Sequence, residues 1–198
     1  MSVSAETLGA LIDAVTADLI AHADELTALD SAIGDADHGI NMKRGAEAIR
    51  AERDALVQKP LPDALKAIGT KLVMTVGGAS GPLYGTLAMS LAKELPAVSF
   101  AEAFGKAADA VAARGKSQIG QKTMLDVLYP LADAVKSGTP VGELPAVAQR
   151  AAEETIPLKA IRGRASFLGD RSIGHMDPGS RSVSLITAAI VRTLENAS

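Results

Sequence analysis

The chain has 198 residues, 47% of them hydrophobic and only 3% aromatic, with no Trp, no Cys and a net charge of −3. Such a length predicts one domain, residues 1–198, with material for a sizeable core. The acidic balance excludes the basic stripe of a nucleic-acid binder, and the lack of Cys excludes disulfides, thiolate nucleophiles and thiolate metal sites.

The opening stretch, MSVSAETLGALIDAVTADLI, has no basic n-region and carries Glu6, Asp13 and Asp18. It reads as neither a signal peptide nor a membrane span, so the expected location is the cytoplasm. Its apolar residues recur with a period near 3.6: Leu8, Leu11, Ile12, Val15, Leu19, Ala23 and Leu26 share one face of a long first helix. His22 lies beside that stripe and reads as structural. Further helices are predicted over 39–57, 62–76, 82–94, 100–114, 123–137, 145–157 and 179–196. Ser99 and Glu102 have capping-box spacing, and Asp177-Pro178 reads as an N-cap followed by Pro in the first turn. Pro62, Pro82 and Pro145 read as helix starts in the same way, while Pro130 falls inside a helix and is expected to kink it. No hairpin signal, internal repeat or linker interrupts this pattern. The expected fold is all-α, eight helices in an antiparallel up-and-down barrel or bundle.

Polar, Gly-rich segments at 30–39, 77–82, 115–123 and 162–179 separate these helices. The first holds Asp30 and then GDADHG (34–39). Asp30 follows Leu26 by four residues and Leu19 by eleven, so it lies in phase with the buried stripe. An inward carboxylate needs a metal or a strong donor. Asp35 and Asp37, two residues apart, can turn toward the same point. The spacing does not fit an EF-hand, and the compact set of oxygens suits Mg²⁺ completed by water and phosphate. The plainer reading makes Asp37 a helix cap and Asp35 a turn residue.

The second segment, VGGASGPLYG (76–85), has the character of an anion-binding helix N-terminus with a Ser hydroxyl, although it lacks the Lys-Ser/Thr ending of a P-loop. The last carries Arg162, Arg164, Arg171, His175 and Asp177, where a guanidinium can meet a polyphosphate or simply face solvent. Lys43, Lys116 and Lys122 read equally as solvated or catalytic, and no covalent nucleophile presents itself. Oxygen ligands, an anion nest and an arginine loop are together the parts of a Mg-nucleotide site.

Four motifs, LDSAIGDADHGINMKRG (29–45), VGGASGPLYGT (76–86), RGKSQIGQKTMLDVLYP (114–130) and GRASFLGDRSIGHMDPGS (163–180), resemble the L subunits of bacterial dihydroxyacetone kinases. The resemblance implies an eight-helix antiparallel barrel with ADP or ATP and two Mg²⁺ in the loops at one end. By motif, Asp30, Asp35 and Asp37 match metal ligands. His38, Asn41, Ala79 and Ser80 match positions around the phosphates. Gly115, Thr123 and Met124 match the adenine side, and Arg164, Asp177 and Gly179 the lid loop. Gln121 stands where the family pattern has Asp, and Phe167 and Asp170 replace Tyr and Glu.

In that family a K subunit binds dihydroxyacetone. In the phosphotransferase-system branch, an M-type phosphohistidine subunit rephosphorylates ADP that stays on L. A stand-alone chain of this size fits that branch. A transcription regulator and a second copy of the chain are further partners that the resemblance allows, with neither nucleic acid nor membrane implied. The alternatives are a related helical kinase subunit for another substrate and a non-catalytic nucleotide-binding regulator.

Overall fold

In the computed structural model, residues 3–196 are described, and they fold into ten α-helices and two 3₁₀ segments, with no strand. The helices are α1 (Ala5–Ala21), α2 (Ala23–Ile33), α3 (His38–Ala51), α4 (Arg53–Leu56), α5 (Leu61–Thr75), α6 (Ser80–Glu94), α7 (Phe100–Gly115), α8 (Leu125–Lys136), α9 (Leu144–Glu153) and α10 (Pro178–Asn196). The 3₁₀ segments are Val141–Glu143 and Arg164–Ser172.

The predicted long first helix is broken at His22, and the second at Glu52. At His22 the backbone opens to φ −100°, ψ 13°. Its Nδ1 lies 2.8 Å from the Asp18 carbonyl, to which the His22 N–H also donates. A carbonyl only accepts, so Nδ1 carries the proton. Because one residue departs and the register resumes, α1–α2 and α3–α4 still act as two rods, giving eight in all. Pro130 does not end α8, which runs unbroken from Leu125 to Lys136.

Each rod packs on the next, and α10 closes the ring against α1. The enclosed core includes Leu26, Met42, Tyr84, Val111, Leu125, Val127 and Leu128. Alanine fills the tight seams: Ala103, Ala107 and Ala108 of α7 and Ala148 and Ala152 of α9 are fully buried. Small side chains let helix axes approach while favouring helix. A second cluster of Leu8, Ile12, Leu56 and Ala64 packs α1 against α4 and α5. Across the closing seam Arg181 pairs with Glu25 (2.6 Å) and Arg192 with Asp18 (3.0 Å). The caps form as expected. Ser99 Oγ accepts the Glu102 N–H at 3.2 Å, and Asp177 Oδ2 accepts the Ser180 N–H at 2.6 Å.

The α2–α3 corner is the tightest. A Cβ on Gly39 would sit 1.9 Å from the Ala23 carbonyl oxygen and 2.6 Å from the Thr27 nitrogen, both backbone atoms that cannot yield. Gly39→Ala is therefore expected to destabilise the chain by about 1–3 kcal/mol, the usual range for overpacking. Gly105, with open space around its Cα inside α7, provides the contrast. Gly105→Ala is expected to stabilise by about 0.5–1 kcal/mol through helix propensity. Urea denaturation of the two variants checks both signs.

Candidate functional site

Four connections gather at one end of the ring: residues 34–37, 76–79, 116–124 and 154–177. Asp30, in the last turn of α2, is only 9% exposed. Its Oδ2 accepts the backbone N–H groups of Asp37 (2.8 Å) and His38 (3.1 Å), which ties the end of α2 to the start of α3. Between Asp35 and Asp37, Ala36 takes φ 62°, a left-handed conformation that lets both flanking carboxylates turn inward. One carboxylate oxygen from each of Asp30, Asp35 and Asp37 lies within 4.8 Å of the others. Hard oxygen donors at that spacing fit Mg²⁺ or Ca²⁺.

The glycine-rich connection lies against this cluster. A Cβ on Gly77 would come within 2.7 Å of Asn41 Oδ1, and Gly78, at φ 63°, faces the Asp37 carboxylate. Ala79 is exposed at the head of α6, and Ser80 opens that helix. From the fourth connection, Arg164 Nε reaches Asp35 Oδ2 at 2.8 Å. The glycine turn and a guanidinium thus flank the acids.

Beneath the acids runs a buried polar chain. His38 Nδ1 lies 3.0 Å from Ser80 Oγ, and Nε2 lies 3.0 Å from Ser182 Oγ. Ser182 Oγ also meets Tyr84 Oη at 2.7 Å and the carbonyls of Pro178 (3.1 Å) and Gly179 (2.9 Å). The network is satisfied when Ser182 donates to a carbonyl and accepts from His38 Nε2–H and Tyr84 O–H. His38 Nδ1 then accepts from Ser80. Burial holds the His38 pKa below its ordinary value, against the raising pull of Asp30 and Asp37, so the ring is neutral near pH 7. Burial pushes Tyr84 up, so it too keeps its proton.

The third connection is organised by Asp126, whose carboxylate accepts the Gly120 N–H and, at 2.7 Å, the Thr123 N–H. Ser180 Oγ donates to the Thr123 carbonyl at 2.9 Å, and Met124 lies against Gly179. Gly115 ends α7 beside Leu83 of α6. The thirteen residues matched by motif therefore lie at or next to this end, although no side-chain bond joins Gly115 to the acids. Gln121 makes a local contact, its Oε1 accepting the Gln118 N–H at 3.1 Å.

The model of the DAK2 domain matches residues 32–192. This chain belongs to the DAK2 domain family. It is 42% identical over 173 residues to the "PEP-dependent dihydroxyacetone kinase 1, ADP-binding subunit DhaL" of Listeria innocua, covering 85% of this chain and 86% of that one. It is 41% identical over 172 residues to the corresponding subunit of Escherichia coli, covering 80% and 82%. The L-erythrulose 1-kinase of Mycolicibacterium smegmatis is 34% identical over 84% of this chain, which spans 32% of that enzyme. The fold matches the dihydroxyacetone kinase of C. freundii in complex with AMP-PNP and Mg²⁺, with a TM-score of 0.79 and 24% identity over 97% of this chain and 34% of that one.

Several residues of this DAK2 domain site escape sequence reading. Ser182 and Tyr84 complete the His38 chain. Lys122, read as solvated or catalytic, is not solvated: it is 1% exposed, and its Nζ lies within hydrogen-bond reach of four backbone carbonyls. Thr155, fully buried, accepts the Asp177 N–H at 3.0 Å. Residue spacing carries a weak signal for Ser182, one turn into α10, and none for a cage built of carbonyls.

Asp177 is the site's titrating group. Part of the residue stays accessible, but burial of its carboxyl pushes its pKa up to about 7, the Ser180 bonds and Lys122 pulling down and Asp126 adding to the rise. The folded chain thus holds a proton there that the unfolded chain has released above about pH 4. This group's contribution is full below that pH and is lost as pH rises through about 7. Asp177→Asn, which removes the ionisation and keeps an oxygen for the cap, is expected to shrink the fall in Tm between pH 5 and pH 8. Calorimetric melts in EDTA, without nucleotide, check it.

Proposed function

We propose that this chain is a single nucleotide-binding domain that carries Mg-ADP and Mg-ATP as the L subunit of a PEP-dependent dihydroxyacetone kinase. One observation carries the reading: Asp30 at the end of α2 and Asp35 and Asp37 of the following loop converge within 4.8 Å, hard against the Gly77–Gly78 turn and within reach of Arg164. On this reading Asp30, Asp35 and Asp37 hold Mg²⁺, two ions being the expected number. The metal, when bound, would neutralise phosphate charge that the acids alone would repel. Ala79 and Ser80 at the N-terminus of α6 offer donors to phosphate oxygens, with Asn41 and neutral His38 alongside. His38, locked between Ser80 and Ser182, holds the Ser80 side chain by accepting its hydroxyl proton, which leaves the backbone N–H groups at the start of α6 as the phosphate donors. Gly115, Thr123 and Met124 line the base, and Asp177 and Gly179 position the loop from which Arg164 reaches over the phosphates. Phosphoryl transfer is catalysed mainly by such positioning and charge stabilisation.

The acceptor and its capture belong to a K-type partner, and recharging of ADP to an M-type phosphohistidine subunit. Two things support this division. Among the described residues, the hydroxyls of Ser80 and Ser182 are tied to His38, and that of Ser182 also to backbone carbonyls. In addition, Ile40, Ile119 and Phe167, exposed at 53%, 57% and 88%, stand in the segments around the acids, as a docking rim requires. An acceptor chosen by the partner also accommodates a relative that phosphorylates L-erythrulose.

Asp35→Ala removes one candidate ligand and the Arg164 pair together. Its Mg-ADP affinity by titration calorimetry is expected to fall at least about tenfold, as when metal-site residues are lost. Unchanged affinity would reject the site. With Mg-ATP and dihydroxyacetone, the isolated chain is expected to give no multiple turnover until a K-type subunit is added. A coupled assay for dihydroxyacetone phosphate reads this directly, and robust turnover by the chain alone would reject the division of labour.

A further inference from the structure

Lys122 is the only lysine among the described residues that is buried, and it does no chemistry in the reading above. It sits at φ 60°, at a backbone strain that a non-glycine residue keeps only when the surroundings enforce it. Its three N–H groups donate to the carbonyls of Thr155 (2.6 Å), Leu158 (3.1 Å) and His175, and the Ile156 carbonyl at 3.4 Å shares one of these donors. The first three lie where the 154–177 connection leaves α9, and His175 lies where it returns to α10. One cation therefore clasps both roots of a single loop. Burial lowers the Lys122 pKa, while Asp177 and Asp126 nearby favour its charged form.

Lesser ties cross the same roots. Gly174 N–H donates to the Ile156 carbonyl at 2.9 Å, Ala160 N–H to Ser172 Oγ at 2.9 Å, and Ile161 N–H to the Gln121 carbonyl at 3.2 Å. Beyond the roots, the excursion carries Arg164 across the end of the ring to Asp35 at 2.8 Å. The acid loop is anchored independently through Asp30. The span of the Arg164 reach is thus set where Lys122 holds the roots.

We propose that Lys122 is a positioning residue of the nucleotide site, clasping both roots of the 155–175 loop and thereby setting where Arg164 stands over the aspartates. The binding readout rests on the nucleotide reading above, whereas the clasp itself can be tested without it. In hydrogen exchange on the ligand-free wild-type chain, the root amides of Ile161 and Gly174 should exchange more slowly than the loop tip at 167–169. In Lys122→Met those root amides should lose protection while α5 and α6 keep theirs.

Mg-ADP titration well below both melting temperatures should show Lys122→Met weakened by about tenfold or more, as for residues that orient ligands from behind. In a double-mutant cycle with Arg164→Ala, the Lys122→Met loss should largely vanish, because a residue acting through Arg164 has nothing left to position. A merely structural lysine would lower Tm yet give additive losses or none. Additive losses in the cycle, or affinity within twofold of wild type, overturn the proposal. Should Lys122→Met fail to fold, Lys122→Gln carries the same comparison. Root amides in the wild type that exchange as fast as the tip overturn the clasp on their own. A wild-type chain that binds no Mg-ADP rejects the nucleotide reading and leaves the clasp to the exchange result.

Discussion

Rods that alternate in direction around a closed ring deliver every second connection to the same end, and the site depends on that constraint. Residues near positions 35, 78, 120 and 165 are far apart in the chain and meet because α10 packs back on α1. Closure in turn depends on close seams, which the buried alanines of α7 and α9 and the glycines at positions 39, 69 and 85 supply. A bulky residue at one of these seams would alter the ring and move whole connections with it. Packing far from the acids therefore belongs to the geometry of the site.

Topology brings the four connections near one another, and buried polar groups then fix their spacing. His38 joins the starts of α3, α6 and α10 through two serines, Asp126 shapes the turn before α8, and Lys122 ties that turn to the longest connection. Each such group would be costly if left unpaired, which makes its geometry specific. The acids are the exception. Three carboxylates this close repel, by roughly 4 kcal/mol per pair at 4 Å for an effective dielectric of 20. Asp30 is relieved by two backbone N–H groups and Asp35 by Arg164, and neither bond uses all the oxygens. On the proposed reading, the remaining oxygens are the ones a cation would take.

The sequence made the rods legible because apolar periodicity reports burial directly. It made Asp30 legible for the same reason: a carboxylate in phase with Leu19 and Leu26 has to lie inside. The breaks at His22 and Glu52 were hidden, since a one-residue departure leaves the register on either side intact. The α8 helix continues through Pro130, so an interior proline did not decide where that helix ends. Lys122 was opaque for a deeper reason. Its partners are backbone carbonyls, which every residue possesses, so no residue type marks the cage. Ser182 and Tyr84 were likewise hidden because their role is to satisfy His38 rather than to bear charge. The family resemblance named residues of the acid, glycine and arginine segments and passed over Ser182, Tyr84 and Lys122, which hold those segments from behind.

A filled interior limits where chemistry can occur. Leu26, Leu125, Val127 and Leu128 are at most 1% exposed, so the middle of the ring is core and not a substrate chamber. On the proposed reading, a ligand at this end lies across the mouth and is held by the connections there. The apolar residues that stay exposed there, Phe167 above all, sit on the same connections as the charged groups. Water at an open mouth would compete for any transferable phosphoryl group, and a second surface laid over the mouth would exclude it. On the proposed reading, a nucleotide held across this end is presented to two partners in turn, one that charges it and one that discharges it.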